Sequence, residues 1–224
     1  MNARAWAKAI AIVGVILVSA YLLGSGSPGG SAPRDEPEPE DSGLYMGLYP
    51  VIGDGPVEKA DKVVIAEFLS FYCGNCYRFN EYKHRLEQKY GDRLRFRYIP
   101  IVWGEQSIKT VEAYILAERQ GKGDEFADAL FRAKFEEGRN ISDVAVIIQV
   151  GEQVGLGEEW RQGLIAGEAA ADARENLNLA AKWRVEETPT LIVNGRIVVS
   201  PHPTGDDVDK MAQNLDRIIQ SLLS

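Results

Sequence analysis

The pattern of apolar and polar positions divides the chain into three parts. They are an apolar N-terminal stretch, a polar stretch, and a long remainder in which apolar residues recur at regular spacing. Residues 9–23 are almost wholly apolar and uncharged, whereas the next twenty residues are rich in Gly, Ser, Pro and acidic side chains. A stretch of the second kind cannot build a packed core. We therefore predict an N-terminal signal anchor over residues 1–24, a flexible linker over 25–43 and one folded domain over 44–222.

The first half of that domain has a strand–helix–strand pattern. Residues 63–71 read VVIAEFLSF, which is nearly continuously apolar and typical of a strand covered on both faces. Helical spacing follows over 77–90, and a second apolar stretch covers 94–102. This order predicts a right-handed βαβ unit with parallel strands. Residues 47–52 are a candidate short strand before it.

The middle of the domain is helical throughout, from about residue 105 to 183. Glycines mark the breaks between the helices, and Ser142 is the predicted N-cap of a helix over 143–154. Strand patterns return only on either side of Asn194–Gly195, a strong hairpin signal, and a last helix ends near residue 222. The predicted fold class is α/β, with a central mixed sheet and an all-helical insertion.

Composition restricts the possible partners. The chain of 224 residues is 45% apolar, which is enough for one domain with a real core. It carries 25 Lys and Arg against 33 Asp and Glu, a net charge of −8. A surface of that sign repels phosphate backbones, so we expect no nucleic-acid partner. No dimerisation module is recognisable, and we expect a monomer.

Charges around the apolar N-terminal stretch predict its orientation. Arg4 and Lys8 precede the stretch and no basic residue follows until Arg34, which places the N-terminus inside and the domain outside. A span needs about 20 apolar residues and a cleaved signal peptide needs fewer, so both remain open. The linker favours a single-pass anchor in the cytoplasmic membrane over a soluble periplasmic protein. In either case the domain faces an oxidising compartment.

The only two cysteines, Cys73 and Cys76, lie three positions apart where a predicted strand ends and a helix begins. A disulfide between two cysteines so close in the sequence closes a very small loop and adds little to the stability of the fold. A helix N-terminus favours a thiolate, so Cys73 is the predicted nucleophile and Cys76 the buried resolving thiol. Gly74 leaves room for a substrate backbone, and Asn75 completes the motif.

A metal site is the competing interpretation of this cysteine pair. A tetrahedral zinc site needs four ligands. Besides the two cysteines, His84 and His202 are the only other residues that could supply the typical nitrogen or sulfur ligands. His84 lies eight residues after Cys76, about 12 Å along a helix axis, which is too far to share one metal. We predict redox chemistry with neither a metal nor a cofactor.

Two further residues are candidates for the site. Glu67 lies inside the first predicted strand, six residues before Cys73, and a buried carboxyl there should have a raised pKa and exchange a proton with Cys76. The alternative is a solvated glutamate facing an edge. Pro189, in Thr188–Pro189–Thr190, stands directly before a strand, where a proline can also be a simple strand opener.

Residues 67–77, 185–191 and 193–195, with the helical insertion, resemble the DsbA-like branch of the thioredoxin superfamily. This resemblance implies a thioredoxin fold, a cis Pro189 facing the dithiol, and Thr188 offering main-chain hydrogen bonds to an extended substrate. It also implies an apolar groove for unfolded secreted proteins with cysteines and a quinone-coupled membrane partner. Thr188, Pro189, Gly74 and Asn75 are therefore the predicted substrate-contact residues.

The central dipeptide departs from the strongly oxidising members, which carry Pro-His where this chain has Gly74–Asn75. Asn75 brings no charge, so we expect a less depressed pKa for Cys73 and a less oxidising couple. The predicted function is an extracytoplasmic thiol–disulfide oxidoreductase acting as an oxidase. The alternatives are a reductase or isomerase with the same dithiol, or a non-catalytic peptide- or metal-binding module.

Overall fold

The computed structural model describes residues 48–54 and 56–224. The predicted anchor over 1–24 and linker over 25–43 lie outside these residues. None of the helices within them has the length and apolar character needed to cross a bilayer. This part of the chain forms four strands and seven α-helices. The strands are β1 (Val63–Leu69), β2 (Leu94–Pro100), β3 (Thr190–Val193) and β4 (Ile197–Val199).

The strands form one mixed sheet in the order β2-β1-β3-β4. Strand β1 is parallel to β2, whereas β3 runs antiparallel to both β1 and β4. The predicted mixed sheet and βαβ unit are therefore confirmed. The short strand expected before β1 was wrong: residue 47 is not described, and of residues 48–52 only Val51 makes an isolated bridge, to Ile197.

Five of the seven helices lie between β2 and β3, so the helical insertion is confirmed. Its N-cap prediction was wrong by one residue, because Asp143 and not Ser142 caps the helix. The Asp143 side chain accepts a hydrogen bond of 2.8 Å from the Ala145 main-chain N–H. The helices are α1 (Gly74–Tyr90), α2 (Lys109–Arg119), α3 (Gly123–Phe135), α4 (Val144–Gln153), α5 (Glu158–Ala166), α6 (Ala170–Lys182) and α7 (Val208–Leu223).

The hairpin joining β3 to β4 has the turn that its sequence predicts. Asn194 and Gly195 both adopt positive φ, 47° and 69°, which a tight hairpin of this kind requires. The Asn194 side-chain oxygen also accepts a hydrogen bond of 2.8 Å from the Val64 main-chain N–H. The turn residue therefore ties the hairpin to the centre of the sheet.

The core has three parts, and the cysteine pair lies where two of them meet. Helices α1 and α7 cover one face of the sheet around Ile65 and Phe79, and α6 covers the other face around Phe68. Helices α2 to α5 pack around their own apolar centre, which includes Trp160. Cys76 belongs to that third cluster, so its sulfur is buried where the insertion meets the sheet.

Candidate active site

The cysteine pair spans the N-terminus of α1. Cys73 is the N-cap, with extended backbone (φ −93°, ψ 119°), and its N–H donates to the Ser70 carbonyl at 3.0 Å. Helix α1 begins at Gly74, three residues earlier than the spacing of its apolar residues indicated. Cys76 therefore lies in the first helical turn, and the N–H groups of Asn75 and Cys76 in that turn donate to the Cys73 sulfur.

The two thiols have opposite acidities. Cys73 is partly buried and Cys76 fully buried. A hydrogen bond from the Cys76 thiol, with others from Thr188 and from the N–H groups of Cys76 and Asn75, lowers the pKa of Cys73 to about 6 against the opposing effect of burial. Burial raises the pKa of Cys76 well above its usual value, and the charges of Cys73 and Glu67 add to this. One sulfur is therefore a thiolate at neutral pH, and the other keeps its proton.

The loop before β3 lies against the exposed sulfur. The Thr188–Pro189 peptide bond is cis, as the family resemblance implied. The Thr188 carbonyl oxygen lies 3.1 Å from Cys73 Sγ and accepts a hydrogen bond from it when Cys73 is protonated. Both residues of the peptide are buried, Thr188 with 9% of its surface exposed. The main chain at this point therefore lies beside the atom that a substrate sulfur would attack.

Glu67 lies inside the molecule and not at an edge. Strand β1 is flanked by β2 and β3, and the residue is 2% exposed, so a solvated, edge-facing glutamate was the wrong alternative. Its Oε2 atom has no hydrogen-bond partner. Burial raises the pKa of Glu67 to about 8, the positive charge of Lys83 opposes this, and the charges of Cys73 and Glu87 add to it. The carboxyl therefore holds a proton at neutral pH that it can exchange.

The central dipeptide lies open to solvent in front of Cys73. Gly74 is exposed and Asn75 half-buried. A methyl group added at Gly74 would meet Phe135 Cε1 at 3.9 Å, an ordinary contact. Packing alone does not require a glycine here. The free approach to Cys73 comes from the exposure of this turn.

The sequence reasoning missed Tyr98, which pairs with Glu67 across the sheet, and Lys83, whose charge acts on Glu67. Lys83 is only 1% exposed, and its ammonium lies 4.3 Å from the centre of the Tyr98 ring. Tyr98 pairs directly with Glu67 across β1 and β2. The available signal was the spacing between Cys76 and Lys83, because seven residues are two helical turns and place both on one face.

We expect the reduced protein to react selectively at Cys73 from mildly acidic pH upward. Only the thiolate is nucleophilic, and the pKa of about 6 makes Cys73 the thiolate at neutral pH while buried Cys76 remains protonated. Alkylation rates measured against pH should rise with a midpoint near 6 and modify Cys73 alone, as read by peptide mass mapping. A midpoint at the ordinary cysteine value, or equal labelling of both thiols, would contradict this assignment.

Metal ligation finds no support in the described residues. No group of three or more His, Cys, Asp or Glu side chains among them is arranged to hold a metal ion. His84 instead contacts Asp128, with His84 Nε2 3.1 Å from Asp128 Oδ1, and His202 is an exposed loop residue 3.9 Å from Asp206.

Comparison with known proteins agrees with this geometry. The family model described as Thioredoxin matches residues 50–216. The thiol:disulfide interchange protein DsbA of Haemophilus influenzae is 25% identical over 71% of this chain and 78% of its own, and that of Escherichia coli K12 is 26% identical over 77% and 81%. The crystal structure of the oxidoreductase DsbA from Xylella fastidiosa superposes with a TM-score of 0.61 at 23% identity, over 77% of this chain and 93% of that one.

The family model covers most of the chain, including the Cys73–Cys76 pair, Glu67 and Pro189. The mixed sheet with its helical insertion is shared with the solved structure. The chain therefore belongs to the thioredoxin family and is a DsbA-like protein disulfide oxidoreductase.

Proposed function

We propose that this oxidoreductase works outside the cytoplasm as an oxidase, which donates the Cys73–Cys76 disulfide to cysteines of secreted proteins. The observation that carries the proposal is the difference in acidity between the two sulfurs. A leaving thiolate with a pKa of about 6 is a good leaving group, and a stabilised thiolate favours the reduced form of the enzyme. Both effects drive the disulfide toward the substrate.

The proposed reaction has two exchange steps. A substrate thiolate attacks Cys73 Sγ, the bond between the two enzyme sulfurs breaks, and Cys76 leaves and takes a proton from Glu67. A second substrate thiol then loses its proton and attacks the substrate sulfur of the mixed disulfide, and Cys73 leaves as the thiolate. The substrate is oxidised by two electrons and the enzyme is reduced by two. Counted from two substrate thiols, two protons are lost and one is taken up to restore Glu67, so one net proton is released to solvent.

Substrate alignment is proposed for the loop around the cis peptide. The main chain of Thr188 lies beside Cys73, where it can pair with an extended substrate segment, while Pro189 fixes that loop. Gly74, which is exposed, and Asn75, which is half-buried, are the other proposed contacts at the start of α1. A monomer then suffices, since one chain carries the whole site.

Location and recharging follow from the same proposal. The apolar segment over residues 9–23 is proposed as a single-pass anchor in the cytoplasmic membrane, with the domain in the periplasm or at the cell exterior. A soluble periplasmic protein is the outcome if the segment is cleaved. The reduced dithiol has to be reoxidised to act again, and a quinone-coupled membrane protein is the proposed oxidant.

The redox equilibrium with glutathione tests the direction of the reaction. The pKa of Cys73 lies between the values of about 7 for thioredoxin and about 3.5 for DsbA, so we expect a potential between about −270 mV and −120 mV. An oxidase requires the upper part of that range, above the cytosolic glutathione poise of about −220 to −260 mV, so the purified protein should be mostly reduced in buffers of that poise, as counted by thiol labelling. If the Cys73–Cys76 pair is more reducing than glutathione, the oxidase assignment is wrong and the protein is a reductase of other proteins' disulfides.

A further inference from the structure

A stripe of buried polar side chains runs along α1 away from the dithiol. Cys76, Asn80 and Lys83 follow one another at helical spacing and are all buried on one face. The Asn80 side chain accepts a hydrogen bond of 2.5 Å from the Tyr98 hydroxyl and donates one of 2.6 Å to Asp128. This stripe leads from the buried sulfur toward the insertion helix α3.

Lys83 is the centre of this stripe. Its ammonium lies 2.6 Å from Asp124 Oδ1 on α3 and 3.7 Å from Glu87 Oε1 on its own helix. The same ammonium lies over the ring of Tyr98, whose neighbour across the sheet is Glu67. A buried cation is costly unless it is paired, so these contacts show why Lys83 can be held inside.

The pair of Lys83 and Asp124 crosses from the interior to the surface. The Lys83 side chain is 2% exposed, whereas the Asp124 side chain is 66% exposed. Both residues line a cleft of about 660 Å³. Neither cysteine nor Thr188 lines this cleft, so it is separate from the substrate-facing sulfur. Its lining includes Lys83, Glu87, Tyr98, Tyr114, Glu118 and Asp124.

We propose that Lys83 is a positioning residue that sets the charge state of Glu67, and that Asp124 marks the outer end of the route by which Glu67 exchanges its proton with solvent. The inference rests on the proposed function, since Glu67 needs to be reprotonated only if it supplies Cys76. When Cys76 leaves the disulfide, the proton moves from Glu67 to its sulfur, and the new carboxylate is stabilised by Lys83. A proton from water in the cleft then restores the acid.

The charges around the two groups predict the direction of each effect. The charge of Lys83 lowers the pKa of Glu67, whereas the charges of Cys73 and Glu87 raise it. The charge of Glu67 in turn raises the pKa of Tyr98 and of Tyr114. Lys83 alone among these groups favours the carboxylate. Asp124 and Glu87 partly neutralise Lys83, while Asp128 and His84 contact each other beside Asn80. Removing Lys83 should raise the pKa of Glu67, whereas removing the charge of Asp124 should lower it.

Infrared titration of the oxidised protein tests this directly. The protonated Glu67 carboxyl band is assigned by its loss in Glu67→Gln and followed against pH. Lys83→Met should move its midpoint upward by about one unit or more, and Asp124→Asn should move it downward. Lys89→Met is the matched control, because Lys89 lies on the same helix and pairs with Asp216 at 2.6 Å, and should cause no shift.

The same shifts should appear in the pH profile for opening of the enzyme disulfide by a small dithiol. An unchanged midpoint of the Glu67 titration in Lys83→Met would contradict the proposed route of proton exchange. Shifts of the same sign in the Lys83 and Asp124 variants would contradict it as well. If Lys83→Met does not fold, the exposed Asp124→Asn decides by its direction. A wild-type protein that fails to oxidise a cysteine-containing peptide would count against the proposed function instead, because the infrared shifts do not depend on that activity.

Discussion

Replacement of Cys73 by serine should abolish disulfide transfer, with a loss of about 10³-fold or more in turnover. A serine oxygen cannot form the mixed disulfide through which the sulfur of the substrate is carried. The partly buried Cys73 is also the sulfur that lies beside the Thr188 carbonyl, whereas Cys76 is fully buried. The measurement is the loss of free thiols from a reduced, unfolded protein incubated with catalytic amounts of enzyme and excess oxidant.

The Cys76→Ala variant is the matched contrast. It keeps the Cys73 nucleophile, which can attack the disulfide of an oxidised substrate, break that bond and form a mixed disulfide with one of its sulfurs. Because Cys76 is missing and cannot release the substrate again, these mixed disulfides should persist and can be isolated by non-reducing electrophoresis. The rate of thiol loss under multiple turnover should fall as much as in the Cys73 variant. The trapped mixed disulfides should appear only in Cys76→Ala. Full turnover in Cys73→Ser, or adducts trapped by that variant, would contradict the assignment of roles to the two cysteines.

The placement of the two sulfurs could be predicted because it depends on local structure. The apolar, β-branched run that forms β1 ends shortly before Cys73, and the pair at the start of a helix places one sulfur at the tip and the other a turn inside. The mixed sheet could also be anticipated, since the βαβ pattern and the Asn194–Gly195 hairpin are both short-range signals.

Predictions failed where distant parts of the chain decide the outcome. Residues 47–52 have strand-like composition, but the described part, 48–52, forms no strand. It is joined to the sheet only by an isolated bridge from Val51 to Ile197 and by single backbone hydrogen bonds of Pro50 and Ile52. The apolar residues Phe79, Tyr82 and Leu86 stand at helical spacing on α1. In the structure Tyr82 is only partly buried, and Lys83 takes the inner position.

The burial of Lys83 depends on residues that only tertiary structure brings near. Asp124 comes from the helical insertion and Tyr98 from the neighbouring strand, 41 and 15 positions away in the sequence. A lysine at helical spacing between apolar residues is normally solvated, with its stem along the surface. Its spacing of two turns from Cys76 is visible in the sequence, but the carboxylate that makes its burial tolerable is not.

Replacement of Glu67 by glutamine should slow opening of the enzyme disulfide by about 10²-fold or more at neutral pH. The leaving Cys76 sulfur is buried and its pKa is strongly raised, so it needs a proton at once, and an amide cannot supply one. The rate is measured in single turnover with excess small dithiol, by quenching and counting protein thiols. An exposed replacement, Glu125→Gln, makes the same chemical change outside the site and should leave the rate unaltered.

The same variant should be more stable than the wild type at neutral pH. The pKa of Glu67 is about 8 in the folded protein and about 4.5 in the unfolded chain. The folded state therefore keeps a proton that the unfolded state releases, and stability falls as pH rises from about 4.5 to about 8. At pH 7 this amounts to about 3 kcal/mol in the limit of full burial.

Denaturant unfolding of the oxidised protein isolates this effect, because neither sulfur titrates while the disulfide is closed. The charge of Cys73, which helps to raise the pKa of Glu67, is absent while the disulfide is closed, so we expect the free energy of unfolding to decline from about pH 4.5 upward and to level off below pH 8 in the wild type and in Glu125→Gln. In Glu67→Gln the decline should be smaller by the contribution of one carboxyl group. A slower but more stable variant would mean that the buried acid is kept for proton transfer at a cost in stability. Equal pH dependence in all three proteins would mean that Glu67 is ionised in the folded state, and it could then not donate the proton that Cys76 requires.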